Sequence, residues 1–99
     1  MPLCEVVIVD QKPVSGGYCL LRLAAPEPAA AAQPGQFIHL RIPGLETTAL
    51  RRPFSIYRAA DGELAILYKR VGRGTDVLAT LPAGTRLSVM GPLGNGFPL

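Results

Sequence analysis

"PFSIYRAADGELAILYKR", residues 53–70, decides the fold. Two apolar-rich runs, PFSIYRA and LAILYKR, flank ADGE. Asp-Gly between such runs signals a hairpin, because a tight two-residue turn needs φ > 0 at its centre and these residues tolerate it. Outward from there the pattern repeats. In "QFIHLRI" (36–42), Ile38, Leu40 and Ile42 fall on one face, and Phe37, His39 and Arg41 on the other. That alternation is the period of a half-buried strand. "CEVVIVDQ" (4–11) is apolar and β-branched, "KPVSGG" (12–17) supplies turn chemistry, and "YCLLRLA" (18–24) and "RLSVM" (86–90) read as further strands. Closure removes exposed sheet edges. The expected fold is therefore all-β, a six-stranded antiparallel Greek-key barrel with one short α-helix.

The helix is expected in "GTDVLATLPAG" (74–84), where Val77, Leu78 and Leu81 depart from the strand period. Thr75 suits the N-cap and Asp76 the first turn, and Pro82 and Gly84 end the segment. Two turns are marginal alone, so this helix must pack its apolar side onto the barrel. "APEPAAAAQPG" (25–35) reads as a loop between strands, with Pro28 and Pro34 bracketing anything helical.

Ninety-nine residues make one domain, and 48% hydrophobic content supports a real core. Only 17% of residues are charged, which leaves room for a face covered by a partner, a lost domain or a second copy in a homodimer. No apolar run approaches the roughly 18 residues of a membrane span. "MPLCEVVIVD" lacks the basic start of a signal peptide, which favours the cytoplasm. Cys4 and Cys19 are expected as buried reduced thiols, and His39 as a structural or solvent-facing residue. No metal-ligand spacing is present. The net charge is +3, and five cations gather in two short stretches: Arg51, Arg52, Lys69, Arg70 and Arg73. That clustering suggests a local anion site or a solvated rim, more than a nucleic-acid surface.

Gly72 and Gly74 flank Arg73 just before Thr75. Glycines allow close backbone approach, and a helix N-terminus suits phosphate. "GPLGNG" (91–96) follows no complete βαβ unit and is not a dinucleotide fingerprint. No catalytic triad or carboxylate pair stands out, so any reaction served here belongs to a cofactor. "LRRPFSIY" (50–57) offers arginine for phosphate, a serine hydroxyl for a ring nitrogen and flat apolar groups for an aromatic ring. One strand could hold both ends of a flavin nucleotide.

These residues carry a resemblance. "RPFS" (52–55) resembles the R-x-Y-S/T signature of the ferredoxin-reductase-like FAD-binding barrels, and "GRGT" (72–75) that family's second phosphate-binding segment. "PGQFIHLRIP", "LRRPFSI", "ILYKRVGRGT" and "VMGPLGNGFPL" resemble the electron-transfer subunits of NAD-dependent dihydroorotate dehydrogenases, over almost the whole chain. The resemblance implies FAD as cofactor, an oxidoreductase component of pyrimidine biosynthesis, and an FMN-containing catalytic subunit as partner. It implies that Arg52 binds the FAD pyrophosphate and that Ser55 contacts the isoalloxazine near N5. Pro53 and Phe54 would shape the strand against the ring and ribityl chain. Leu67, Tyr68 and Lys69 would form the adjoining strand contact, and Gly74 and Thr75 would donate to phosphate. Phe54 replaces the broader family's tyrosine and lacks its hydroxyl.

The family continues into a nucleotide-binding domain that takes NAD and a cysteine cluster holding [2Fe–2S], both outside this chain. The expectation is therefore a domain cut before them, inactive by itself, with no catalytic or metal-binding residue of its own. Two other readings stay open on sequence: the FAD module of another NAD(P)H-dependent flavin or ferredoxin reductase, and a non-enzymatic barrel that binds RNA or protein.

Overall fold

A computed structural model describes residues 3–44 and 51–94. Its strands are β1 (Leu3–Val14), β2 (Tyr18–Ala24), β3 (Phe37–Arg41), β4 (Arg51–Ser55), β5 (Arg58–Ala60), β6 (Glu63–Lys69) and β7 (Arg86–Leu93), with helices α1 (Pro26–Ala31) and α2 (Arg73–Thr80). All pairings are antiparallel, in the order β4-β3-β7-β1-β2-β6-β5. The all-β class holds. The six-stranded closed barrel is corrected to a seven-stranded ladder that is open between β4 and β5.

The reason lies in the opening stretch. PFSIYRA, read as one strand, breaks at Ile56–Tyr57. The Ile56 N–H donates to the Gln36 carbonyl on the β3 side, at 3.0 Å. The next N–H, of Tyr57, donates to the Ala65 carbonyl on β6, at 2.9 Å. One chain segment thus changes partner across the gap, and its two halves become the terminal strands of the ladder. The hairpin itself is as the sequence implies. Asp61 and Gly62 have φ of 54° and 77°, and Ala60 pairs with Glu63.

Inward-facing residues build the core. Val6, Ile8, Leu21, Leu23, Ile38, Leu40, Leu64, Ile66, Leu87 and Val89 are all buried. Leu78 of α2 is also fully buried, so the helix does pack its apolar side on the sheet.

Three local readings change. β1 runs on through Lys12–Val14, which the sequence marks as turn, and the turn is confined to Ser15–Gly17, where Gly16 and Gly17 take φ of 77° and 78°. Pro13 lies opposite Cys19 of β2, on a stretch whose other edge is unpaired, because β7 pairs with β1 only from Leu3 to Val7. Residues 26–31 form a helix within the expected loop. Pro26 and Pro28 sit in its first turn, where an N–H has no intrahelical partner to lose. The N-cap of helix α2 lies three residues before the expected one: it is Gly72, and Gly74 and Thr75 lie in the first turn.

A register shift between Ile8 and Asp10 sets the polar bracing of this fold. One extra residue reverses the parity of the strand. Asp10 therefore lies beside Arg22, accepting from its Nε at 2.9 Å, and Gln11 faces inward. Gln11 Nε2 donates to the Leu78 and Leu81 carbonyls at 2.8 and 2.9 Å, which satisfies the C-terminal end of α2. Its Oε1 accepts from the Tyr68 hydroxyl at 2.7 Å.

Candidate cofactor site

The site gathers around the gap between β4 and β6. The paired arginines that enter it take opposite roles. Cross-strand partners share a face, so Arg51 lies with Arg41 on the outward face and Arg52 with Leu40 on the inward one. Arg51 donates to the Ser88 carbonyl at 3.0 Å and to its Oγ at 2.8 Å, tying β4 across β3 to β7. Arg52 is exposed, and its guanidinium has no hydrogen bond or ion pair among the described residues.

Instead, Arg52 lies on the first turn of α2. A Cβ built at Gly74 would come within 2.7 Å of Arg52 Nε and 3.0 Å of Cζ. The backbone at Gly74 is ordinary helix, so glycine serves here for close approach. The Asp76 N–H is the first to reach an intrahelical carbonyl, that of Gly72 at 2.9 Å. The N–H groups of residues 73–75 precede it at the positive end of the helix dipole. A fork of guanidinium donors and a set of backbone donors thus meet at one place. Thr75 braces the turn: its Oγ1 accepts from the Val71 N–H at 2.9 Å and donates to the Gly72 carbonyl at 3.1 Å. Arg70 pairs with Asp76 at 3.2 Å beside it.

Beyond this turn, Ser55 and Leu67 line one cleft of about 390 Å³ with Pro34, Gly35, Gln36, Ile56 and Tyr57. The Ser55 hydroxyl has no partner among the described residues. Gln36 holds the far wall, accepting from the Gln33 N–H at 2.7 Å and donating to the Gly94 carbonyl at 2.9 Å. Phe54 is half-buried, edge-on to Tyr68 with ring centres 5.9 Å apart. The Tyr68 side chain is buried in the core, and burial pushes its phenol up, so it remains a donor to Gln11. Tyr68 can therefore present only its backbone to a ligand. Pro53 lies outward opposite His39, and the ammonium of Lys69 sits 5.9 Å from the centre of the Tyr18 ring. Cys4 is half-buried, Cys19 is buried and both are free. His39 is half-buried beside Phe37. Among the described residues no cluster of three metal-ligating side chains occurs. No described helix is long and apolar enough to cross a membrane.

A family model described as the oxidoreductase FAD-binding domain matches residues 5–97. The chain belongs to that family.

Membership makes this chain an oxidoreductase FAD-binding domain, and the non-enzymatic barrel left open by the sequence gives way to it. Curated relatives share the name dihydroorotate dehydrogenase B (NAD(+)), electron transfer subunit. The one from Desulforamulus reducens is 46% identical over 77 residues, covering 76% of this chain and 29% of its own length. The one from Clostridium acetobutylicum is 49% identical over 65 residues, covering 66% and 26%. The Bacillus cereus relative is 36% identical over 97 residues, covering 96% and 38%. The chain spans about a third of the length of these relatives. Among solved structures, an NADH-dependent reduced ferredoxin-NADP oxidoreductase studied for flavin-based electron bifurcation matches with a TM-score of 0.83 and 25% identity, over 94% of this chain and 34% of its own. The Amycolatopsis cytochrome P450 reductase matches at 0.78 and 29%, over 98% and 31%.

The residues present fit FAD. The space a Cβ at Gly74 would fill is the space that lets Arg52 reach the helix start, which brings together two donor sets that suit a pyrophosphate. The seven-residue stretch 51–57 supplies that end and the cleft around Ser55. Sequence reasoning missed Tyr57 and Gln36 as lining residues. Period-two alternation from Ser55 was the available signal for Tyr57.

Proposed function

We propose that this domain serves an electron-transfer subunit of the NAD-dependent dihydroorotate dehydrogenase kind. FAD supplies, when bound, the ability to exchange electrons singly with an iron–sulfur centre and as hydride with NAD. Arg52 and the N–H groups opening α2 hold the pyrophosphate. Ser55 offers its hydroxyl to the ring near N5. Pro53 and Phe54 shape one strand beside the ribityl chain and ring, while Leu67, Tyr68 and Lys69 shape the other, Gly74 keeps the helix start open, and Thr75 braces it. The domain contributes no acid or base; its residues bind, orient and exclude water. The NAD-binding and [2Fe–2S] domains and an FMN-containing catalytic subunit that oxidises dihydroorotate complete the path. A cytoplasmic setting, in which neither nucleic acid nor membrane is a partner and a homodimer forms, belongs to the same proposal.

The observation that carries the reading is Arg52 seated on the glycine turn of α2. The relatives' shared name supports the dihydroorotate assignment over its main rival. That rival, the FAD module of another NAD(P)H-linked flavin or ferredoxin reductase, is favoured by the two reductase structures above. Reconstitution with a dihydroorotate-oxidising FMN subunit decides between them. Full-length protein carrying this domain should support dihydroorotate-dependent NAD⁺ reduction, and Arg52→Ala should weaken it. NAD(P)H-dependent reduction of ferredoxin without any response to dihydroorotate would favour the rival.

A further inference from the structure

The stretch PFSIY holds two aromatic rings, and the fold uses them differently. Phe54 faces inward, where its ring meets Tyr68 edge-on and packs against the core. Tyr57 is 64% exposed, a large apolar area to leave in water. Its backbone is fixed, because its own N–H is bonded to Ala65 and that of Ile56 to Gln36. Its hydroxyl has no partner among the described residues. The side chain is thus a free ring on a fixed base. It forms a ridge that borders three clefts: the one shared with Ser55 and Leu67, one beside Arg58 and Ala60, and one beside Ala32 and Gln33.

We propose that Tyr57 is the aromatic residue that lies against the isoalloxazine ring in the Ser55–Leu67 cleft. This rests on the FAD reading above and sharpens it. A flat heteroaromatic ring gains from a flat neighbour that is exposed and carried on a fixed backbone. Tyr57 meets these conditions, with Leu67, 37% exposed, as another wall of the cleft. Phe54, half-buried and edge-on to Tyr68, does not line that cleft. The adenine of FAD is also flat, so the test must separate the two ends of the cofactor.

The protein is titrated with FAD, with riboflavin, which lacks adenine and phosphate, and with ADP, which lacks the flavin ring. Tyr57→Ala should weaken riboflavin and FAD about tenfold and leave ADP unchanged. Tyr57→Phe should keep the affinity but brighten the bound flavin, because a phenol in contact donates an electron to the excited ring and a phenyl group does not. Tyr18→Phe, at another exposed tyrosine, should leave both affinity and brightness as they are. Unchanged riboflavin affinity in Tyr57→Ala, or bound flavin as dark in Tyr57→Phe as in the wild type, overturns the assignment. So does a loss confined to ADP, which would place Tyr57 at the adenine. Wild-type protein that binds neither FAD nor riboflavin overturns the FAD reading itself, and Tyr57's role with it, before any variant is made.

Discussion

On one side of the molecule β7, β1 and β2 run side by side in ladders, and on the other β4 and β6 meet across a gap without one. The two sides treat polar groups differently. Away from the gap they are paired: Asp10 and Glu63 with Arg22, Gln11 with α2 and Tyr68, and, on the outward face of β4, Arg51 with Ser88. At the gap, Arg52, Ser55 and Tyr57 present side chains with no hydrogen-bond partner among the described residues. No buried side-chain nitrogen or oxygen lacks a partner among those residues, so the unpaired groups are all ones that water or a ligand can reach. A binding strand at the end of a ladder offers both faces and a free edge. A strand inside the ladder spends its backbone on its neighbours.

The strongest way to break this contrast is to cut into the core beneath the β2–β6 ladder. Leu64→Ala empties a fully buried position beside Leu23 on β2. It should cost about 2–5 kcal/mol in urea unfolding, whereas Ser55→Ala should leave the unfolding midpoint unchanged. Next is Gln11→Leu, which takes the side-chain donor from the Leu78 and Leu81 carbonyls and the acceptor from the Tyr68 hydroxyl, while the Leu78 carbonyl keeps the Leu81 N–H. About 1–3 kcal/mol of stability should be lost. Gly74→Ala sharpens the contrast from the gap side. Alanine favours a helix by up to about 1 kcal/mol over glycine, yet its Cβ displaces the Arg52 guanidinium. Thermal stability should hold or rise while FAD affinity, read by titration, falls.

The smallest effect belongs to Asp10. Hydrogen bonding from Arg22 holds its carboxyl below the ordinary 3.8. A depressed pKa contributes stability above the unfolded value that is lost as pH falls through the folded one. Asp10→Asn should therefore be slightly less stable than wild type at neutral pH, and the difference should close as acid titration passes below 3.8.

The sequence made the strand set readable because alternation in QFIHLRI and the Asp-Gly turn are local signals. It hid the break at Ile56–Tyr57, since nothing local says that consecutive N–H groups bond to different strands. The shift after Ile8 was hidden likewise, and with it the inward turn of Gln11. Helix α1 was obscured by prolines that a first turn accepts. The cluster of cations was visible, but Arg51 and Arg52 look alike in sequence. Only the register of β4 against β3 separates the structural arginine from the free one.

That separation is the most direct point of test. FAD titrations of wild type, Arg51→Ala and Arg52→Ala, run beside urea unfolding of each, measure it. Arg52→Ala should bind FAD about ten- to a hundredfold more weakly with unaltered stability, the loss of a charge-assisted phosphate contact. Arg51→Ala should lose stability through Ser88 and keep its FAD affinity. Equal affinities for wild type and Arg52→Ala, or a larger binding loss at Arg51, would contradict the account.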